Sequence, residues 1–229
     1  MKLLPNYALI VAGGSGTRMG AELPKQFIEL KGLPILMHTL NVFEESNLFN
    51  KTILVMHPDY HDYWQNLCAK HHFCVGHTLV QGGETRYHSV KNGLNALKGK
   101  NGLVAIHDGV RPLVTHTLIA KCVDAAQEHG NAVPALNPHE SIRQGTFANN
   151  HSLDRNSLWQ VQTPQVFNLN RLTEYYQAKW TEAFTDDASV AEIAGEKIYI
   201  VEGERENIKI TTPTDLSIAE TFLRLQNEC

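Results

Sequence analysis

The stretch YALIVAGGSGTRMGAELPK, residues 7–25, constrains this chain more than any other. Residues 7–12 form an unbroken apolar run, short and bounded by glycine, which predicts a fully buried strand rather than a helix. Gly13, Gly14, Ser15 and Gly16 follow at once. Glycines at a strand end let main-chain N–H groups converge on an anion that side chains would otherwise crowd out. Arg18 and Lys25 then add two full positive charges. A Walker A loop would close on Gly-Lys-Ser/Thr, but Thr17-Arg18-Met19 stands in that place. The Rossmann fingerprint would put its third glycine at Met19. What remains is a loop suited to a nucleoside triphosphate whose phosphates react, because charge building on transferring oxygens needs fixed cations beside it.

The rest of the composition narrows the class. Hydrophobic residues at 42% and charged residues at 19% are those of an ordinary folded protein, and 229 residues can bury a substantial core. A formal charge of −4 argues against a nucleic-acid binder, which needs a basic surface to displace counterions. The start MKLLPNYALIVAGG has the lysine of a signal peptide, but Pro5 and Asn6 split its apolar run, and no later stretch reaches membrane-span length. The expected location is the cytoplasm. Cys68, Cys74, Cys122 and Cys229 show no C-x-x-C pairing and read as reduced thiols. Cys68, His71, His72 and Cys74 are close together, but their spacing fits no standard zinc site and reads as a helix end with its following loop.

Apolar strands and amphipathic helices alternate along the chain. Strands are predicted at 52–56, 79–80, 103–106, 132–136 and 197–201. Helices are predicted behind Pro34, at 59–70, at 86–97, from the cap Thr115 to Gly130, at 170–179, at 186–194 capped near Thr185, and from Thr212-Pro213-Thr214-Asp215 onward. That alternation predicts an α/β fold, Rossmann-like, with a mostly parallel sheet and helices on both faces, in a single domain over 1–229. Residues 137–167 break the pattern, being polar and aperiodic. A structureless loop of that length is improbable in a compact domain, so the segment reads as a protruding β-arm that packs outside its own core.

Ligands bind open parallel sheets at the carboxyl ends of the strands, and the unusual residues of this chain recur there. Gly13 to Lys25 follow one strand, Gly82, Gly83 and Arg86 another, and Asp108 and Arg111 a third, while Lys209 comes soon after the last.

The same segments carry a resemblance over nearly the whole chain. The loop with Leu23-Pro24-Lys25-Gln26 resembles the signature of nucleotidyltransferases that activate sugar or polyol phosphates. Gly82-Gly83-Glu84-Thr85-Arg86, His107-Asp108-Gly109-Val110-Arg111-Pro112, Asp154-Arg155-Asn156-Ser157, Gln162-Thr163-Pro164-Gln165, Thr185-Asp186-Asp187 and Asn207-Ile208-Lys209 are similar to the 2-C-methyl-D-erythritol 4-phosphate cytidylyltransferase family of the non-mevalonate isoprenoid pathway. The resemblance implies that Ala12, Gly13, Gly14, Ser15, Gly16, Gly82, Arg86 and Ser89 hold CTP. It implies that Arg18, Lys25 and Lys209 surround the phosphates as catalytic cations. It makes Asp108, Arg111, Thr163 and Thr185 the polyol phosphate site, joined by Ser141 and Arg155 from the arm of a partner subunit in a homodimer. Magnesium is implied as an ion held mainly by the CTP phosphates, with no protein ligand assigned. Where the family often has Asp-Thr, a residue and Lys, this chain has Glu140-Ser141-Ile142-Arg143, which retains a hydroxyl and a charge. Where many relatives have alanines between Asp108 and Arg111, it has Gly109 and Val110. Two other functions are compatible with the scaffold: a ribitol 5-phosphate cytidylyltransferase, differing in the polyol pocket, and a non-catalytic nucleotide-binding regulator. The presence of Arg18, Lys25 and Lys209 argues against the latter.

Overall fold

The computed structural model describes residues 4–13 and 23–227, with the side chains of 226 and 227 left aside. In chain order the strands and helices are β1 (Asn6–Ala12), β2 (Glu29–Leu30), β3 (Leu33–Pro34), α1 (Ile35–Glu45), β4 (Lys51–Met56), α2 (His61–Lys70), β5 (Thr78–Gln81), α3 (Arg86–Asn95), β6 (Leu103–Asp108), α4 (His116–His129) and β7 (Asn131–Leu136). There follow β8 (Arg143–Gly145), β9 (Asn150–Ser152), β10 (Gln160–Val161), β11 (Gln165–Asn168), α5 (Leu169–Tyr175), α6 (Asp187–Ile193), β12 (Ile200–Glu202) and α7 (Pro213–Asn227).

β1 lies inside the main sheet, parallel to β6 on one side and to β4 on the other, with β5 parallel beyond β4. Its residues alternate between two cores, as the period of a strand requires. Ala8, Ile10 and Ala12 join Leu54, Met56, Leu103 and Ala105 under α1, α2 and α4, where Leu40, Trp64 and Ile119 are wholly or almost wholly buried. Tyr7 and Leu9 join Ile53, Val55, Val104 and Ile106 on the opposite face, under Val90 of α3, Leu172 of α5 and Val190 of α6. Helix α3 approaches β1 so closely that a Cβ at Gly93 would fall 2.6 Å from Leu9 Cδ1. A third, smaller core gathers Ile35, Val110, Ile210 and Ala219 of α7 beside the strand ends.

The sheet is mixed rather than uniformly parallel. β7 pairs in parallel with β12, but β11 runs antiparallel to both β6 and β7, and β10 is antiparallel to β7. Parallel neighbours need a crossover, usually helical, and the segment between β7 and β10 holds no α-helix, so the chain returns in the opposite sense.

The expected arm is shorter than 137–167. Only β8 and β9 stand out as a two-stranded hairpin, whereas β10 and β11 belong to the main sheet, with Val166 and Phe167 buried in its two cores. Several helix ends also shift. α2 starts at His61 after a 3-10 turn at Pro58–Tyr60, and α3 ends at Asn95. α5 stops at Tyr175, because the N–H groups of Gln177 and Ala178 bond three residues back rather than four. The cap of α6 is Asp186 rather than Thr185: its carboxylate accepts the Ser189 N–H at 2.9 Å, and its own N–H is taken by Ser189 Oγ at 3.1 Å.

Candidate active site

The sheet register brings the expected residues level. Ala12 lies beside Met56, Met56 beside Gln81, and Val11 beside Asp108. The residues that follow these strands therefore leave the sheet together, and a cleft of about 700 Å³ opens above them. Its walls include Ala12, Gly13, Lys25, Gly82, Gly83, Arg86, Ser89, Asp108 and Lys209.

On one wall, two glycine turns close around a single hydroxyl. Ser89 in the first turns of α3 is buried, and its Oγ accepts the Gly83 N–H at 3.0 Å. A Cβ at Gly13 or Gly82 would come 3.2 or 3.3 Å from that Oγ, and one at Gly83 would meet His88 Cβ at 2.4 Å. A side chain would be crowded at Gly13 and Gly82 and would force a shift at Gly83, which favours glycine and a bare main chain along this wall. Lys25 opens a 3-10 turn at Lys25–Phe27, and the neighbouring Gln26, buried, ties that turn to the end of β1 by donating from Nε2 to the Ala12 carbonyl at 2.8 Å.

On the floor, Asp108 collects cations. Lys209 Nζ lies 3.0 Å and Arg111 Nε 3.4 Å from its Oδ2, and Arg86 Nε lies 3.7 Å from Oδ1. Burial works to raise the Asp108 carboxyl pKa, but Arg86, Lys209 and Arg111 outweigh it and hold the group well below the usual carboxylate range. Arg86 itself is committed elsewhere. Its two terminal nitrogens fork onto Asp187 at 2.9 and 2.6 Å, and Asp187, wholly buried, also accepts the Tyr176 hydroxyl at 2.6 Å. Burial opposes the charge of Arg86, yet Asp187 and then Asp108 raise its pKa overall. Lys209 differs, since its side chain is 40% exposed and can turn toward a phosphate.

Arg111 faces a second cleft of about 690 Å³, which Lys209 also lines, so the two openings share a wall. Arg111 is steadied from behind by Nη1 donating to the Asn207 carbonyl at 2.8 Å. Thr163 lies beneath the floor, 4% exposed, with its hydroxyl accepting the Asp108 N–H at 3.1 Å. Thr185, Ser141 and Arg155 are exposed and line neither cleft within this chain. Arg155 donates to the His139 carbonyl inside the arm. Gly14, Ser15, Gly16 and Arg18 lie outside the described residues.

Sequence reasoning gave no role to Asp187, which sits 101 residues from Arg86, although it falls in the segment Thr185-Asp186-Asp187 that carried the resemblance. It also gave no role to His107, buried directly behind Asp108, or to Asn207. The placement of His107 next to Asp108 in the sequence was the signal available for it.

A parallel sheet core whose strand ends surround a glycine-walled cleft with a cation cluster on its floor defines an α/β enzyme of the nucleotidyltransferase class. Residues 7–225 match the family described as IspD: 2-C-methyl-D-erythritol 4-phosphate cytidylyltransferase, and the chain belongs to that family. It is 47% identical over 217 residues to the protein of that name from Phocaeicola vulgatus, covering 95% of this chain and 99% of the relative. It is 42% identical to the one from Geobacillus kaustophilus, covering 95% and 97%. Among solved structures, 4-diphosphocytidyl-2C-methyl-D-erythritol synthase from Anaerococcus prevotii superposes with a TM-score of 0.82 at 28% identity, covering 96% of this chain and 99% of that one. The 2-C-methyl-D-erythritol 4-phosphate cytidylyltransferase of Thermus thermophilus gives 0.79 at 28%, covering 96% and 100%.

Proposed function

We propose that the cleft above β1, β4, β5 and β6 is where CTP meets 2-C-methyl-D-erythritol 4-phosphate. The enzyme transfers CMP to that phosphate, giving 4-diphosphocytidyl-2-C-methyl-D-erythritol and pyrophosphate for isoprenoid precursor synthesis. The observation that carries the site assignment is the cluster on the cleft floor, where Arg86, Arg111 and Lys209 outnumber the carboxylates of Asp108 and Asp187.

The chemistry needs little beyond positioning. A phosphate monoester has a second pKa of about 6, so near neutrality its oxygen is already a nucleophile and no strong general base is required. That oxygen forms a bond to the α-phosphorus of CTP as the bond to the bridging oxygen of pyrophosphate breaks. Negative charge grows on the non-bridging and departing oxygens, and Lys25 and Lys209, with Arg18 from the glycine loop, neutralise it. The main chain at Gly13 and Gly82, with Ser89 between them, receives the nucleotide. Arg111, steadied by Asn207, receives the polyol phosphate, and Asp108 meets its hydroxyls while fixing Lys209. Arg86 holds Asp108 in place from Asp187, and Thr163 holds it from beneath. Ser141 and Arg155 serve the site of a partner subunit through the arm, in a homodimer, and Thr185 contributes to the polyol phosphate site.

The donors in the cleft suit a magnesium ion carried by the nucleotide. Among the described residues no three acidic, histidine or cysteine side chains converge as a cage, and the Asp108 carboxylate is already engaged by three cations. Magnesium keeps several waters and takes few protein ligands, so it would be held mainly by triphosphate oxygens and water. When bound it supplies further neutralisation of the triphosphate. No helix among the described residues is long and apolar enough to cross a membrane. The free thiols of Cys68, Cys74 and Cys122 suit a reducing compartment, in keeping with a cytoplasmic enzyme.

Pyrophosphate release tests this reading. The rate with CTP and methylerythritol phosphate should exceed that with D-ribitol 5-phosphate, and CTP should be preferred to UTP and ATP, since unpaired polar atoms penalise the wrong base. Equal specificity constants for the three nucleotides, or preference for the ribitol ester, would contradict it.

A further inference from the structure

Asp108 and Arg111 leave the chain at the two ends of one tight turn, closed by the Arg111 N–H on the Asp108 carbonyl at 3.0 Å. His107 lies behind that turn, wholly buried, with its ring centroid 4.9 Å from that of Phe43. Both ring nitrogens are used. Nε2 is 3.1 Å from the Arg111 carbonyl, which can only accept, so Nε2 carries the proton and Nδ1 is an acceptor. Nδ1 takes the hydroxyl proton of Thr163 at 2.9 Å, and the same oxygen accepts the Asp108 N–H at 3.1 Å. Asn207 then closes a ring, donating from Nδ2 to the Thr163 carbonyl at 2.8 Å while its own carbonyl receives Arg111 Nη1 at 2.8 Å.

We propose that His107 is a positioning residue for the polyol phosphate: touching no substrate, it links Arg111 directly and Asp108 through Thr163, and so fixes the guanidinium and the carboxylate relative to each other. A neutral imidazole is suited to this because it presents one donor and one acceptor on opposite edges of a rigid ring. Burial pushes the His107 pKa down to about 4, so that neutral form is the one present near pH 7. The inference rests on the assignment of Asp108 and Arg111 to the polyol phosphate.

Steady-state kinetics on the intact protein, varying methylerythritol phosphate and CTP in turn, provide the test. His107→Gln keeps an N–H for the Arg111 carbonyl but offers Thr163 nothing, whereas His107→Asn keeps the acceptor for Thr163 and gives up Arg111. Each should lower kcat/KM for methylerythritol phosphate on the order of tenfold, mainly through KM, with KM for CTP nearly unchanged. Thr163→Val should reproduce the loss and Thr163→Ser should not. The double variant His107→Gln, Thr163→Val should be no worse than either single, because both remove one link. Additive losses, equal rises in both KM values, or reduced thermal stability with unchanged KM for methylerythritol phosphate would overturn the inference. Arg111→Ala separates the two levels. If it leaves that KM unchanged, the site assignment fails and takes the inference with it, whereas a large effect from Arg111→Ala with none from His107 defeats the inference alone.

Discussion

Arg86, expected from the sequence to hold the nucleotide, lines the cleft and is also braced across the fold. It opens α3 beside the glycine turn, where a nucleotide contact is the natural expectation, yet its fork is spent on Asp187. Removing one partner from a buried ion pair leaves an uncompensated charge and costs about 3–5 kcal/mol. Asp187→Asn should lower the urea unfolding free energy by that amount, and a loss below about 1 kcal/mol would show the pair to be dispensable. His107 gives a second expectation, with a definite sign. Its folded pKa, about 4, lies below the value near 6.5 of an unfolded histidine, so the unfolded chain binds the extra proton first. Stability should therefore be fully present above about pH 6.5 and fall as pH drops toward 4, by up to about 3 kcal/mol from this group. Unfolding free energies measured across that window should decline less steeply in His107→Gln than in the parent; parallel slopes would exclude His107 as the source.

At the scale of elements, the sequence revealed what local pattern controls. The apolar run of β1, the cap Thr115 with Gly130 ending α4, and the acid in the first turn of α7 all appear where propensity placed them, Asp215 accepting the N–H groups of Thr211 and Thr212 at 2.8 Å. The arm was legible as an excursion but not in extent. β10 and β11 are short and separated by Pro164, so periodicity is lost there even though their pairing with β7 and β6 is tertiary. Likewise, no local pattern could have paired Arg86 with Asp187, or shown that Thr163 works from beneath Asp108. The hairpin of β8 and β9 carries exposed Phe147, and Trp159 is exposed near its base, which suits a reciprocal two-fold exchange of arms. Mixing an Arg155→Ala chain with a Lys25→Ala chain examines this, because one site of a heterodimer would then carry both lesions and the other neither. Activity should reappear on subunit exchange; no recovery from heterodimers shown to form would assign Arg155 to its own subunit or to no site.

For the whole molecule, the sheet matters as a means of bringing distant segments to one edge. Gly13, Gly82 and Asp108 come from widely separated stretches that the register of β1 with β4 and β6, and of β4 with β5, makes neighbours, and Lys209 joins them around one cleft. The strand-end rule made that convergence legible in advance, whereas the charge pairing that commits Arg86 to Asp187 and leaves Lys209 more exposed is visible only in the fold. Lys209 tests the central claim, that the phosphates react in this cleft, because it is the most exposed of the three cations on Asp108 and Arg86 and Arg111 remain to neutralise that carboxylate without it. The measurement is kcat for pyrophosphate release by Lys209→Ala at saturating CTP and methylerythritol phosphate, beside its thermal unfolding. Loss of one preorganised cation should lower kcat about 100-fold or more with the unfolding temperature nearly unchanged. Turnover close to that of the parent would place the reaction elsewhere.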